Sequence, residues 1–267
     1  MVVSGDIGTE RLIGRKEGGV GWVIFNNPAR RNAISVDMWE AIPPLMDAFA
    51  ADPEVRVIVL RGAGETFVAG ADISQFEDQR VGADASKKYD ALTAEAFAAL
   101  SNVAKPTIAM IQGFCIGGGL AVALTADIRI SAIDAQFAIP AARLGLGYGF
   151  TGLKGLMDLV GPAFAREIMF TARKFTGEEA LRIGLLNRAV PTSEVEALVR
   201  DYAAMIADNA PLTVRAAKIA MIEGLKDREK RDMDAVNQAI AACSASDDFK
   251  EGQRAFLEKR RPAFQGR

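Results

Sequence analysis

Histidine is absent from the 267 residues. That absence excludes Ser-His-Asp and Cys-His nucleophilic machinery, and it excludes His-ligated zinc or iron centres. Acid–base chemistry falls to Asp, Glu, Lys, Tyr, Cys or water. Cysteine is scarce: Cys115 and Cys243 are the only two, too few for a four-thiolate metal site or a disulfide framework. Two buried, reduced thiols, no bound metal and a cytoplasmic location are expected. Charge of one sign is lacking too. The 32 Lys+Arg and 34 Asp+Glu leave a net −2, which removes the electrostatic case for nucleic acid as the main partner. Met1 to Glu10 has no basic start and no apolar core, so it does not read as a signal peptide. One long uncharged run exists, Pro106 to Ala126, and its length would suit a membrane helix. A proline opens it, and Gln112, Gly113, Gly117, Gly118 and Gly119 interrupt it. It reads as a buried strand, a glycine turn and a buried helix, and no membrane partner is expected.

What remains is the pattern of an α/β chain. Val20, Trp22, Ile24 and Phe25 make a strand that ends at the turn Asn26-Asn27-Pro28. Ser35 is placed to cap a helix through Met38, Trp39, Ile42 and Leu45, with Pro43-Pro44 predicting a break. Val55 to Leu60 is a strong strand, Lys87 to Leu100 helical, Thr107 to Ile111 a strand, Gly118 to Leu124 a helix and Ile128 to Ile130 a strand. After about Gly152 the pattern predicts helix after helix. Thr176 to Glu179 and Ser193 to Glu196 both fit the S/T-x-x-E capping box. Pro211 suits the first turn of a helix, Met233, Val236 and Ile240 mark another, and Asp248 to Lys259 is the last. The mixed-sign run Lys226 to Asp232 reads as a solvated helix face. The division expected is a core over 1–205 and a helical C-terminal region over 206–267.

Two glycine clusters invite chemistry. Gly117-Gly118-Gly119 follows a strand and opens a helix. Such a turn either presents helix N-terminal amides to a phosphate or oxyanion, or simply lets helix and strand pack closely. Gly147-Tyr148-Gly149-Phe150-Thr151-Gly152 is a literal G-x-G-x-x-G. Its context lacks the preceding first strand and the later acidic residue of a dinucleotide-binding unit, so no nicotinamide or flavin is expected. In Phe67 to Ile73, Gly70 permits an unusual backbone that would expose the N–H of Ala71. Two exposed amides from separate segments, aimed at one oxygen, make an oxyanion hole.

These segments together resemble the crotonase (enoyl-CoA hydratase/isomerase) superfamily along nearly the whole chain. The similarity runs through Asn26-Asn27-Pro28 to Ala33, Phe67 to Ile73, Lys105 to Gly119, Asp127 to Phe137, Gly184 to Asn187 and Phe256 to Pro262. The resemblance implies a crotonase-like spiral of ββα units with a C-terminal helical oligomerisation region. It implies homotrimers, often paired into hexamers, and an acyl-CoA thioester substrate, with no permanently bound cofactor and coenzyme A entering as part of the substrate. The thioester carbonyl would sit on the amides of Ala71 and Gly118. Ala33, Ala69, Asp72, Ile73, Ser74 and Gly117 would line the pocket, and Lys259 would approach the CoA phosphates.

The departure from the family is specific. The two glutamates that family hydratases carry are replaced by Ala121 and Ala141. Hydration must activate water and deliver a proton to the α-carbon, whereas decarboxylation generates the enolate directly. Pro140 to Tyr148 is similar to the methylmalonyl-CoA decarboxylase branch, with Tyr148 as the protonating group and Arg143 holding a substrate carboxylate. The plain readings are a packing tyrosine and a surface arginine, and Asp72 and Asp127 as local turn braces. The reading favoured on these residues is a decarboxylase or other enolate-forming lyase. Its alternatives are a hydratase or isomerase with a relocated acid–base group, thioester hydrolysis, and a non-catalytic acyl-CoA-binding protein.

Overall fold

The computed structural model describes residues 8–72 and 83–267. Ile73 and Ser74 therefore lie outside the described residues. The main sheet has six strands in the order β1-β2-β3-β4-β6-β9. They are β1 Leu12–Glu17, β2 Val20–Phe25, β3 Val57–Gly62, β4 Thr107–Ile111, β6 Ile128–Ala132 and β9 Arg188–Val190. β1 runs antiparallel to β2, and the others pair in parallel. Parallel neighbours need crossovers, and α1 Val36–Ala51 and α2 Ala83–Asn102 supply the first two. Val57, Ile58, Val59 and Leu60 are all buried, as expected of a parallel strand covered on both faces. A second, three-stranded sheet pairs β5 Phe114–Ile116 with β7 Gln136–Ala138, and β7 with β8 Phe175–Thr176. It stands beside the glycine turn and carries α3 Gly118–Thr125 away from it. This is the α/β architecture with C-terminal helices expected from the sequence.

The helix expected to break at Pro43-Pro44 does not. α1 runs unbroken through both prolines. Each proline withdraws one N–H from the i−4 carbonyls, at a cost of about 3 kcal/mol in a helix interior. Here Pro43 is half-buried and Pro44 exposed, and the carbonyls they free belong to the buried Trp39 and the exposed Glu40. The opposite face buries Met38, Trp39, Ala41, Ile42, Leu45, Met46 and Phe49, and that burial outweighs the loss.

The stretch after Gly152 is not helical throughout. β8 and β9 interrupt it, and β9 is an edge of the main sheet. Strands of two and three residues are too short to show a period. Their anchor is Arg129, buried in β6, which donates to the carbonyls of Leu185 at 2.7 Å and Ala126 at 2.6 Å. Asn187 completes the anchor, accepting from Arg129 N at 2.9 Å. The other helices are α4 Phe150–Thr171, α5 Gly177–Arg182, α6 Val195–Ala207, α7 Pro211–Gly224, α8 Met233–Ala245 and α9 Asp247–Leu257.

Thr176 caps α5 with both bonds of the capping box. Ser193 does not cap α6: it sits inside a 3-10 turn, and the cap position falls on Glu194 with no side-chain bond. The run Lys226 to Asp232 is an exposed connection between α7 and α8 with a 3-10 turn at Arg228–Lys230, not a helix face. Cys115 is buried as expected, but Cys243 is half-buried, and both are free thiols. Asp127 reaches further than a local turn. It accepts from Thr107 N at 2.7 Å and from Lys218 Nζ of α7 at 2.8 Å, so it fastens a C-terminal helix to the sheet. Among the described residues no helix is long and apolar enough to cross a membrane.

Candidate active site

The segment Phe67 to Asp72 is stitched on both sides. Phe67 N donates to Gln112 O at 2.8 Å and Val68 N to Phe114 O at 3.0 Å, while Ile116 N donates to Val68 O at 3.0 Å. On the other side Ala69 N donates to Arg31 O at 3.0 Å, Ile34 N to Gly70 O at 2.8 Å, and Asp72 N to Ile34 O at 2.9 Å. Ile34 thus bonds to the residues before and after Ala71 in a parallel bridge. Successive peptide groups of an extended chain point to opposite sides, so the N–H of Ala71 faces away from Ile34. Gly70, at φ +122, makes the approach that aims it.

Gly118 lies on that side. A Cβ built on Gly118 would stand 3.4 Å from Ala71 N. Gly118 is the first residue of α3, where a helix leaves its N–H groups without an internal partner. Neither Ala71 N nor Gly118 N has a hydrogen-bond partner among the described residues. Two free amides close together, one of them at a helix N-terminus, can stabilise an oxygen that gains negative charge. The three glycines have separate reasons. Gly117 turns at φ +52 while its N–H donates to Ala138 O at 2.8 Å. Gly118 leaves room beside Ala71. Gly119 packs so closely that a Cβ would stand 2.1 Å from Val68 O. The close packing left open by the sequence is seen at Gly119, and Gly118 presents a helix N-terminal amide beside it.

The site rests on Asn32, which is fully buried. Its Oδ1 accepts from Asn27 N at 3.0 Å, and its Nδ2 donates to Ala63 O at 2.9 Å and Thr66 O at 2.6 Å. Asn32→Ala strips the donor from two buried carbonyls and is expected to lower stability by about 3 kcal/mol. Thermal unfolding checks this, and a melting temperature equal to the wild type's would contradict it.

Other expected site residues are placed as follows. Ala33 is buried at the foot of the bridge, Ala69 is half-buried, and Asp72 is buried with Arg30 Nη1 at 3.2 Å. Pro140 Cδ is 3.8 Å from the Cβ position of Gly117, so the segment after β7 adjoins the turn. Ala121 is half-buried one turn into α3, and Ala141 is buried in the hydrophobic core. Arg143 is exposed at the end of a 3-10 turn, Pro140–Arg143. Lys259 is exposed just past α9. Tyr148 packs half-buried against the core, and burial pushes its phenol above the ordinary value. Among the described residues, no cluster of His, Cys, Asp or Glu could hold a metal ion. Trp39 was legible only as one apolar position of α1. The structure sets its ring edge, at Cζ2, 3.9 Å from the Gly118 Cβ position.

A family model described as enoyl-CoA hydratase/isomerase matches residues 15–267. The chain belongs to the enoyl-CoA hydratase/isomerase family. It is 36% identical to a short-chain-enoyl-CoA hydratase of Clostridium acetobutylicum over 94% of this chain and 95% of that protein. It is 36% identical to a crotonyl-CoA hydratase of Syntrophomonas wolfei over 96% of this chain and 98% of the relative. Among solved structures it matches an enoyl-CoA hydratase/carnithine racemase from Magnetospirillum magneticum with a TM-score of 0.92 and 33% identity, covering 97% of each chain. It is a crotonase-family enzyme acting on acyl-CoA. None of these three is named as a methylmalonyl-CoA decarboxylase, so the resemblance to that branch is not shown; the two relatives from Clostridium acetobutylicum and Syntrophomonas wolfei are named as hydratases.

Proposed function

We propose that this family member is an acyl-CoA lyase that holds an enolate oxygen between the N–H groups of Ala71 and Gly118, and that it adds water to, or removes it from, a short enoyl-CoA. The observation that carries the reading is the pair of amides, unpartnered among the described residues, on two adjoining segments, with Ala71 N 3.4 Å from the Cβ position of Gly118. The named hydratases among the relatives favour hydration over decarboxylation. Water adds at the β-carbon, and the double-bond electrons pass to the thioester oxygen held by the two amides. The enolate then collapses, and the α-carbon takes a proton. With Ala121 and Ala141 in place of carboxylates, we assign that proton to Tyr148, whose phenol regains it from the added water. Burial keeps the phenol neutral, the form a proton donor needs.

Tyr148→Phe is expected to lower kcat by about 10²–10⁴, the usual share of a general acid, with KM little changed. Because burial raises the phenol, the wild-type rate should hold as pH rises to about 10, the ordinary tyrosine value, and fall above it. A pH–rate profile of both proteins checks this, and an unchanged kcat in the variant removes Tyr148 from the mechanism.

A second reading is decarboxylation of a malonyl-type thioester. The apolar Ala121 and Ala141 favour it, since bond cleavage releases carbon dioxide and leaves the enolate without a base. Arg143 would then hold the departing carboxylate. Turnover of crotonyl-CoA and methylmalonyl-CoA by the purified chain separates the two. Fast hydration of crotonyl-CoA supports the first reading. Carbon dioxide release without hydration supports the second. Inertness on both overturns both and leaves an acyl-CoA-binding protein. Self-association through the C-terminal helices also belongs to this reading. Met221, Leu225, Phe256 and Leu257 are exposed there, and apolar patches of that kind mark interaction surfaces.

A further inference from the structure

Trp39 is 2% exposed, yet among the described residues its indole N–H has no hydrogen-bond partner. A buried donor left unpaired is costly, and native structures keep few of them. The ring is held firmly: it tilts against Phe97 of α2 with centroids 5.2 Å apart. Its Cζ2 faces Gly118, 3.9 Å from the Cβ position that is itself 3.4 Å from Ala71 N. Cζ2 and Nε1 are bonded to the same ring carbon, so the N–H lies on the ring edge adjoining the one that meets Gly118. The other unpaired buried indole, Trp22, lies in β2 beneath the guanidinium groups of Arg61 and Arg200. It is part of the main sheet, not of the amide pair.

We propose that Trp39 is a specificity-determining residue. Its indole N–H donates to an oxygen on the acyl group of the bound thioester, so the site prefers acyl chains bearing a hydroxyl or carboxylate to plain hydrocarbon chains. The inference rests on the reading above that an acyl-CoA carbonyl sits on Ala71 and Gly118. Ala71 N and the indole Cζ2 lie 3.4 and 3.9 Å from the same Gly118 Cβ position, so an acyl chain that leaves the carbonyl on the Gly118 side runs toward the indole edge. A hydrocarbon chain leaves the buried N–H unpaired, whereas an acceptor oxygen satisfies it. A site built around a buried polar group discriminates strongly against the analogue that lacks the matching group.

The test is equilibrium binding of butyryl-CoA, 4-hydroxybutyryl-CoA and succinyl-CoA by titration calorimetry. None of the three has an α,β-double bond, so affinity is read without hydration. The wild type is expected to bind at least one oxygenated thioester about tenfold or more tighter than butyryl-CoA. Trp39→Phe keeps an aromatic ring against Phe97 and removes the donor together with part of the indole's volume. It is expected to bring all three affinities within about twofold of one another, with butyryl-CoA itself unchanged. Equal wild-type affinities overturn the inference whatever the variant does. An equal loss on all three thioesters in a folded Trp39→Phe overturns it as well and makes Trp39 a packing residue. If none of the three binds the wild type, the acyl-CoA reading falls and this inference with it. Binding of butyryl-CoA without discrimination overturns this inference alone.

Discussion

Gly118→Pro is expected to leave the fold standing and to cut kcat by about 10²–10³, the cost of removing one oxyanion donor. The contrast arises from where Gly118 sits. As the first residue of α3, it occupies the helical position that tolerates proline best, because its N–H makes no bond inside the helix. The bond that holds the turn comes from the preceding residue, Gly117 N to Ala138 O at 2.8 Å, and proline does not touch it. The added Cβ meets Ala71 N at 3.4 Å, close but not prohibitive. The ring Cδ replaces the amide hydrogen and fills the space between the two donors. Thermal unfolding and steady-state kinetics on the same preparation check both halves. A variant as active as the wild type would show that the second donor is not Gly118.

Gly119→Ala, one residue on, is expected to do the opposite: to damage the fold before it damages chemistry. A Cβ there would stand 2.1 Å from Val68 O and 2.8 Å from Val68 C. Those are backbone atoms, and Val68 O already accepts from Ile116 N at 3.0 Å. Relief therefore requires α3 to move away from the Phe67 to Asp72 segment. We expect a loss of about 3 kcal/mol or more, at the upper end for overpacking, and a melting temperature roughly 6–12 °C lower for a chain of this size. Thermal unfolding of the purified variant decides, and wild-type stability would mean that the helix and the strand segment are not locked together as described.

Much of this site was legible because glycine and proline punctuate it. Gly70 and Gly117–Gly119 declared themselves as positions where the backbone does something unusual, and the whole-chain resemblance said which two amides to pair. The long parallel strands were equally plain, since Val57 to Leu60 is apolar at every position. What escaped were features decided by packing. Pro43-Pro44 looked like a break because local preference favours one; the buried face of α1 overrides it. β8 and β9 carry no readable period, and only pairing with β7 and β6 makes them strands. Ser193 had the right spacing for a cap, but Pro191 starts a tighter turn there. Trp39 was one apolar residue among several in its helix. Only the fold sets it beside Gly118, where its unpaired N–H acquires meaning.

The central claim is that the amides of Ala71 and Gly118 hold the thioester oxygen. Infrared difference spectroscopy of butyryl-CoA labelled with carbon-13 at the carbonyl reads that contact directly, without turnover. Two donors on the oxygen polarise the carbonyl, so its stretch should move to lower frequency on binding to the wild type, and most of that displacement should vanish in Gly118→Pro. A bound thioester whose carbonyl stretch matches that of the free ligand, or whose displacement survives intact in Gly118→Pro, would contradict the account.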